Sequence, residues 1–477
     1  MFSPTDSAEE PNFLISIITM VKIQFTYLKQ SIVLVGLAMY SIVGISAPSY
    51  PDRVEILSLL ENRQFDDLQT LLQRFQSNYE QGKGDEKLIA FVLETLANSN
   101  PDFEVLLNEW VASQAESYVP YLARAYYFYG VAWSWRGNRR DEETSADRLD
   151  RMKDVLELVA DDLSQAILIK PQLSVADALA VRVLMMLGND DYKKKIVKEA
   201  LEISPDTYLV RASYLWSLKP EWNGQPDDLM LFIKETGELT EKYPQLNQLL
   251  GYADYIFADS LTEQKRFEEA DVHFDFAIDK GADHIIYRER GINYYQLKEY
   301  ELALQDFNQS LSLWPQDPKV LRWRAHTLQR LSKDEAAMLD LELAVRLAPL
   351  ERYTLMAHAY LSRKMKRYEQ VLKLYKNALF YNPLDADIWF DRGMHYSHEL
   401  VNFEAAARDL KRATELDPDN SRYWYEYAAV LHFNLNCEIV EPLEKYLQLC
   451  KAGSRCRAGE LEWVIHAQQW LEENNRC

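Results

Sequence analysis

SLSLWP at 310–315, AVRLAP at 344–349, ALFYNP at 378–383 and ATELDP at 413–418 close four stretches of the chain in the same way, at intervals of 34, 34 and 35 residues. Each reads as a helix end followed by a proline that cannot continue the helix. Upstream of these endings, small residues keep the same step at Ala270, Ala303, Ala337, Val371 and Ala406. Large residues follow each of them four positions later, at Phe274, Phe307, Leu341, Tyr375 and Leu410. Residues four apart share one helix face, so the small side chain lets two helices approach and the large one fills the seam. A constant interval of this size marks a helical repeat array.

The helix that opens each repeat carries a stripe of its own, with Tyr287, Gly291 and Tyr294 in one unit and Trp389, Gly393 and Tyr396 in another, spaced i, i+4, i+7. With these motifs the chain resembles the tetratricopeptide repeat family, whose 34-residue pattern is W-x2-L-G-x2-Y, then A-x3-F, then a closing proline. The units run 251–283, 284–317, 318–351, 352–385 and 386–420, with a degenerate sixth at 421–453. The first has Ala282 in place of the closing proline, and the sixth has Val440 near Pro442 where a small residue is expected. The resemblance implies an all-α, right-handed solenoid of stacked hairpins. A last helix, Ala458 to Glu473, offers Leu461, Ile465 and Trp470 on one side and is expected to cap the stack within 454–477.

Residues 51–245 show helical rhythm without a clean period, punctuated by turn signals at Gly137-Asn138, Lys170-Pro171, Gly188-Asn189, Ser204-Pro205 and Lys219-Pro220. They are read as an N-terminal helical domain. Through Trp133, Trp135, Arg136, Gly137 and the PEWNG run at 220–224, this segment resembles helical domains that precede tetratricopeptide arrays in uncharacterised bacterial proteins. That likeness implies no activity.

The 477 residues carry 74 acids against 53 bases, a net charge of −21, which argues against general nucleic-acid binding. Only 15 glycines are present, which disfavours glycine-rich phosphate loops. An uncharged apolar stretch, Ser31 to Ala47, preceded by Lys22 and Lys29, has the layout of a secretory signal in residues 1–47, with Met20 as the expected start. An uncleaved membrane anchor is the alternative, and either reading predicts a periplasmic or extracellular protein. All four cysteines fall in the last 41 residues, and an even cluster in an exported chain suggests two disulfides. Three pairings exist. The nested one, Cys437 with Cys477 and Cys450 with Cys456, suits two antiparallel helices, whereas no CxxC and no nearby His supply a zinc spacing.

The sequence contains no GxSxG, Walker, GxGxxG or HExxH motif, so neither catalysis nor a cofactor is expected. His395 and His398 have no third metal ligand near them, GKGDEK at 82–87 reads as a loop, and DEET at 141–144 as a charge-mixed loop. An enzyme reading would place a site around Trp133, Arg136 and Trp222, residues more often used for packing. Arg290, Arg324 and Arg392 in opening helices keep register with Asp306, Asp340 and Asp409 in closing ones. Unit 352–385 loses both members together, having His358 and Leu374, as does unit 251–283 with Phe257 and His273. Joint loss predicts structural ion pairs that brace the hairpins.

The family resemblance places the inner wall of the solenoid on the opening helices, and there units 284–385 present Arg288, Tyr295, Gln296, Lys319, Arg322, His326, Gln329, Arg330, Tyr353, Met356, Tyr360, Arg363 and Lys364. No acid occurs in that set. Unit 251–283 adds Tyr252, Tyr255, Asp259 and Glu263 at one end. The expectation is a basic, aromatic concave groove that holds an extended acidic peptide of a protein partner. The carboxylate clamp of chaperone-binding family members is not matched, because Ile292 and Trp323 occupy two of its positions. The alternative expectation is a self-associating structural component of an envelope assembly.

Overall fold

The computed structural model describes residues 53–137, 144–222, 224–349, 351–433, 437–451 and 461–474. All the described residues belong to one compact unit, Asp52–Cys477. The signal-like stretch, Asp141–Glu143, Cys456 and Cys477 lie outside the described residues. Among the described residues there is no strand, and no helix is long and apolar enough to cross a membrane.

Ten described α-helices precede the repeats: α1 Arg53–Glu61, α2 Phe65–Glu80, α3 Glu86–Leu93, α4 Pro101–Ser113, α5 Tyr118–Arg136, α6 Ala146–Ile169, α7 Ser174–Met186, α8 Asp190–Ile203, α9 Tyr208–Ser217 and α10 Pro226–Gly237. The repeats follow as hairpins: α11 Tyr252–Glu263 with α12 Phe267–Lys280, α13 His284–Gln296 with α14 Tyr300–Leu313, α15 Pro318–Arg330 with α16 Asp334–Leu347, α17 Arg352–Lys364 with α18 Tyr368–Tyr381, and α19 Ala386–His398 with α20 Phe403–Leu416. The sixth pair is α21 Ser421–Phe433 with α22 Val440–Lys451, and α23 Leu461–Asn474 comes last.

The recurring residues account for this geometry. Ala270, Ala303, Ala337, Val371 and Ala406 are buried, as are their partners four residues on, and together they form the seam of each hairpin. Gly291 marks how close the paired helices come, since a Cβ there would stand 2.7 Å from the Phe307 ring. Each turn from opening to closing helix carries one residue with positive φ: Lys265, Lys298, Ser332, Lys366 and Val401. The return turn is set by an acid, which comes two residues after the closing proline in three units and directly after Ala282 in the first. Asp283, Asp317, Glu351 and Asp385 accept hydrogen bonds from the first backbone N–H groups of α13, α15, α17 and α19, satisfying donors that the helix itself leaves unpaired.

The predicted ion pairs form. Arg290 Nε lies 2.7 Å from Asp306, Arg324 Nε 2.8 Å from Asp340, and Arg392 Nε 2.7 Å from Asp409, each pair joined by a second parallel hydrogen bond. Where the pair is missing, other packing takes its place. Phe257 and His273 meet edge to face with ring centroids 4.5 Å apart, and His358 and Leu374 are both buried.

The cap needs one correction. Ile465 is exposed, and α23 packs instead through Val464, Ala467 and Trp470, whose ring stacks on Tyr425 and His432. The buried stripe is displaced by one residue because spacings of three, rather than four and five, keep these positions over the preceding hairpin. Cys450 is disulfide-bonded. The nested cysteine pairing itself lies outside the described residues.

The N-terminal helices dock on the corners where closing helices end. Phe91 of α3 meets Trp314 edge to face, the Ser99 amide donates to the Tyr381 carbonyl at 3.1 Å, Phe103 of α4 packs on the Tyr381 ring, and Arg148 of α6 donates to the Leu416 carbonyl at 2.8 Å. Trp314, Tyr381 and Leu416 belong to three of the four recurring hexapeptides. The same short sequences therefore end helices and receive the N-terminal half.

Candidate functional site

Two surfaces are built from these elements: the wall made by the opening helices α13, α15 and α17, and a cavity where that wall meets the N-terminal helices.

On the wall, the expectation of bare positive charge is corrected. Arg288 is ion-paired with both Glu289 and Asp317 at 2.8 Å, and Lys319 reaches Glu289 at 2.9 Å. Burial works to raise the Glu289 pKa, but the two cations prevail and hold it at about 2. Arg322 lies 3.8 Å from Glu351, Arg363 3.1 Å from Glu399, and Lys364 2.7 Å from Asp334. The cause is the capping acids. Asp317 and Glu351, themselves outside the set of groove residues, cap the first turn of the next opening helix and at the same time face an arginine 29 residues earlier. Arg330 differs, since its Nε donates to the Tyr295 hydroxyl at 3.1 Å and it has no carboxylate partner among the described residues.

The aromatic part of the expectation has a definite form. Tyr295 meets Trp323 with ring centroids 5.3 Å apart, and Trp323 meets His326 at 5.6 Å. Arg330 lies over Tyr295, Arg322 over Tyr353 and Arg363 over Tyr360, at 5.9, 5.4 and 5.4 Å from the ring centres. Tyr353 and Tyr360 are 44% and 54% exposed, large values for tyrosines on a packed helix. Burial, reinforced by Arg322 and Arg330, pushes His326 down to about 4, so its ring is neutral at pH 7. Gln296 is exposed, Met356 is half-buried, and Gln329 keeps a buried Nε2 without a partner.

The first unit does not extend this wall. Tyr252 and Tyr255 are 1% and 0% exposed, with the Tyr252 hydroxyl donating to Asp283 at 2.8 Å alongside Tyr208 of α9. They are core residues because α9 packs where a solvent-facing groove was expected. Asp259 is ion-paired with Lys219, which also contacts Glu221. Glu221, Asp259 and Glu263 are close enough together to share a cation, and the Lys219 ammonium already compensates two of them. His395 is buried against Tyr368 and Tyr375 while His398 is exposed, so the two do not converge.

The cavity has a volume of about 730 Å³ and is lined from both halves of the chain. Its aromatic lining includes Phe91, Tyr129, Trp133, Trp216, Trp222 and Trp314. Trp133 and Trp222, singled out in the sequence, are thus brought together, whereas Arg136 stacks over Trp133 and is not among the lining residues. Sequence reasoning missed Arg53, Lys87, Arg182 and Gln316, because no local pattern brings α1, α3, α7 and the turn before α15 to one place.

Residues 52–200 match the family described as "Domain of unknown function (DUF4034)". Among curated proteins, the chain is 28% identical over 207 residues to a DnaJ homolog subfamily C member 7 homolog of Schizosaccharomyces pombe, covering 39% of this chain and 40% of that one. It is 24% identical over 184 residues to the Hsp70-Hsp90 organizing protein of Triticum aestivum, covering 38% and 28%. The chain thus spans two fifths or less of these relatives. Among solved structures it is similar to a thermophilic TPR protein of Thermus thermophilus, at 22% identity, covering 39% of this chain and 97% of that one with a TM-score of 0.31. It is also similar to YrrB, a TPR protein with an unusual peptide-binding site, at 19% identity, covering 41% and 97% with a TM-score of 0.31. The 34-residue period, its small–large seams and its capped hairpins identify the array as tetratricopeptide repeats.

Proposed function

We propose that this chain is a protein-binding scaffold that holds an extended, acidic peptide segment along α13, α15 and α17. One observation carries the reading: guanidinium groups lie over the tyrosines of the wall, Tyr295 half-buried on α13 and Tyr353 and Tyr360 exposed on α17. Such a wall offers flat apolar area at low entropic cost and charge-assisted donors beside it. Arg330 supplies the donor for a partner carboxylate, because its position is compensated only by a tyrosine hydroxyl. The remaining cations hold the wall in shape through their own acids, so the preference for acidic ligands rests on few residues. The signal-like stretch Ser31–Ala47 and the clustered cysteines support export, which mass spectrometry of the mature N-terminus tests.

The functional test is fluorescence anisotropy with labelled acidic and neutral peptides of equal length. Acidic peptides are expected to bind more tightly, and Arg330→Glu with Tyr360→Ala is expected to weaken them about tenfold or more. Equal binding of both peptides, or no effect of the paired variant, refutes the reading. Light scattering on the same samples tests self-association, which these substitutions are expected to leave unchanged.

A further inference from the structure

We propose that the cavity between the N-terminal helices and the first repeats binds a small planar molecule bearing one carboxylate, at a site separate from the peptide wall. Its volume of about 730 Å³ falls within the range of small-molecule sites.

The lining is charged unevenly. At one end Arg53 and Arg182 share a single carboxylate, Glu94, at 4.0 and 3.4 Å. Lys87 stands one turn before Phe91 on α3, its ammonium over the Tyr208 ring at 4.5 Å and only 3.9 Å from the half-exposed Asp85. At the other end Arg288, with Lys319 and Arg322 behind it, is matched by Asp317, Glu289 and the lining carboxylate of Glu351. Positive charge is therefore left over around Phe91, inside a strongly acidic protein.

Unmet hydrogen-bonding capacity lies in the same place. Arg53 is 8% exposed and its Nε has no partner, and Thr95 is 2% exposed and its hydroxyl has none, both of them donors that a carboxylate can accept from. Buried polar atoms without partners are costly, and a ligand that reaches them recovers that cost. The remaining wall carries Tyr129, Trp133 and Trp222, the first two edge to face with ring centroids 6.2 Å apart, and offers a conjugated ring aromatic edges and faces to pack on. A cationic ligand is disfavoured, because the protein's own ammonium groups already cover the faces of Tyr208 and Trp216.

The test uses the full chain and two probes, 2-naphthoate and its neutral counterpart 2-naphthalenemethanol, titrated by calorimetry and by quenching of tryptophan fluorescence. The acid is expected to bind at one site about tenfold more tightly than the alcohol. Lys87→Met is expected to erase that preference, Trp222→Leu to weaken both probes, and Arg330→Glu on the peptide wall to change neither. Thermal melts by circular dichroism check that each variant is folded. The proposal is overturned by equal affinities for acid and alcohol, by no binding at millimolar probe, by folded Lys87→Met and Trp222→Leu variants that bind as the parent does, or by loss of binding in Arg330→Glu. Since that last variant weakens only the acidic peptide if both readings hold, failure of one is distinguishable from failure of the other.

Discussion

Replacing Arg290 by Met leaves Asp306 buried without its cation, and the consequence can be worked out from the hairpin α13–α14. The Asp306 side chain is 7% exposed and that of Arg290 16%, with Asp275 as a second, mostly exposed partner of the arginine. Breaking a buried pair by removing one member costs about 3–5 kcal/mol, and partial exposure of the guanidinium lowers this to about 2–4 kcal/mol. Burial already raises the Asp306 pKa, against the pull of Arg290. For a raised carboxyl, stability is fully present below the unfolded value of 3.8 and is lost as pH rises through the folded value. Losing Arg290 raises the folded value further, so the Met variant is expected to suffer most at pH 7 and less near pH 4.5. The array itself supplies the control. Its first hairpin has Phe257 and His273 at these positions in edge-to-face contact. The double variant Arg290→Phe, Asp306→His is therefore expected to lie within about 1 kcal/mol of the parent, because a packed replacement of a buried pair is near neutral. Urea unfolding followed by circular dichroism, with hydrogen exchange over residues 284–313, measures both. A single variant that loses less than about 0.5 kcal/mol, or a double variant as unstable as the single one, refutes the reasoning.

Three further outcomes follow from local features. Val401 is β-branched yet has a φ of 51° in an exposed turn, so Val401→Gly is expected to raise stability by about 1 kcal/mol, read from the urea midpoint. His326 is pushed by burial from 6.5 to about 4, so its contribution is complete above pH 6.5 and is lost as pH falls through 4; His326→Gln should flatten stability across that window. Asp391 is raised by burial to about 7, so its contribution is complete below 3.8 and is lost as pH rises through 7. Asp391→Asn is expected to raise the melting temperature at pH 8 and leave it unchanged at pH 4.

The array was legible because its signal repeats: a small residue, a large one four later and a proline recur often enough to outweigh any local ambiguity, and the joint loss of Arg and Asp exposed the braces. The charge of the groove was not legible from its lining positions. Glu289 is the sequence neighbour of Arg288, while Asp317 and Glu351 lie outside the lining positions, and only the hairpin geometry turns these capping acids toward arginines 29 residues upstream. A search for acids at that offset would have found them. The cavity could not have been read at all. Trp133 and Trp222 stood out by type, but Arg53 and Trp314 are separated by more than 250 residues, and nothing in either neighbourhood announces the other.

Stacked hairpins ordinarily stretch and twist like a spring, because each one touches only its neighbours. Here α3, α4 and α6 act as a splint along one edge, fastened at Trp314, Tyr381 and Leu416. With the coil clamped at three of its turns, its pitch is set before any guest arrives. On the proposed function, Tyr295, Tyr353 and Tyr360 then behave as a ruler, favouring segments whose side chains already match their spacing.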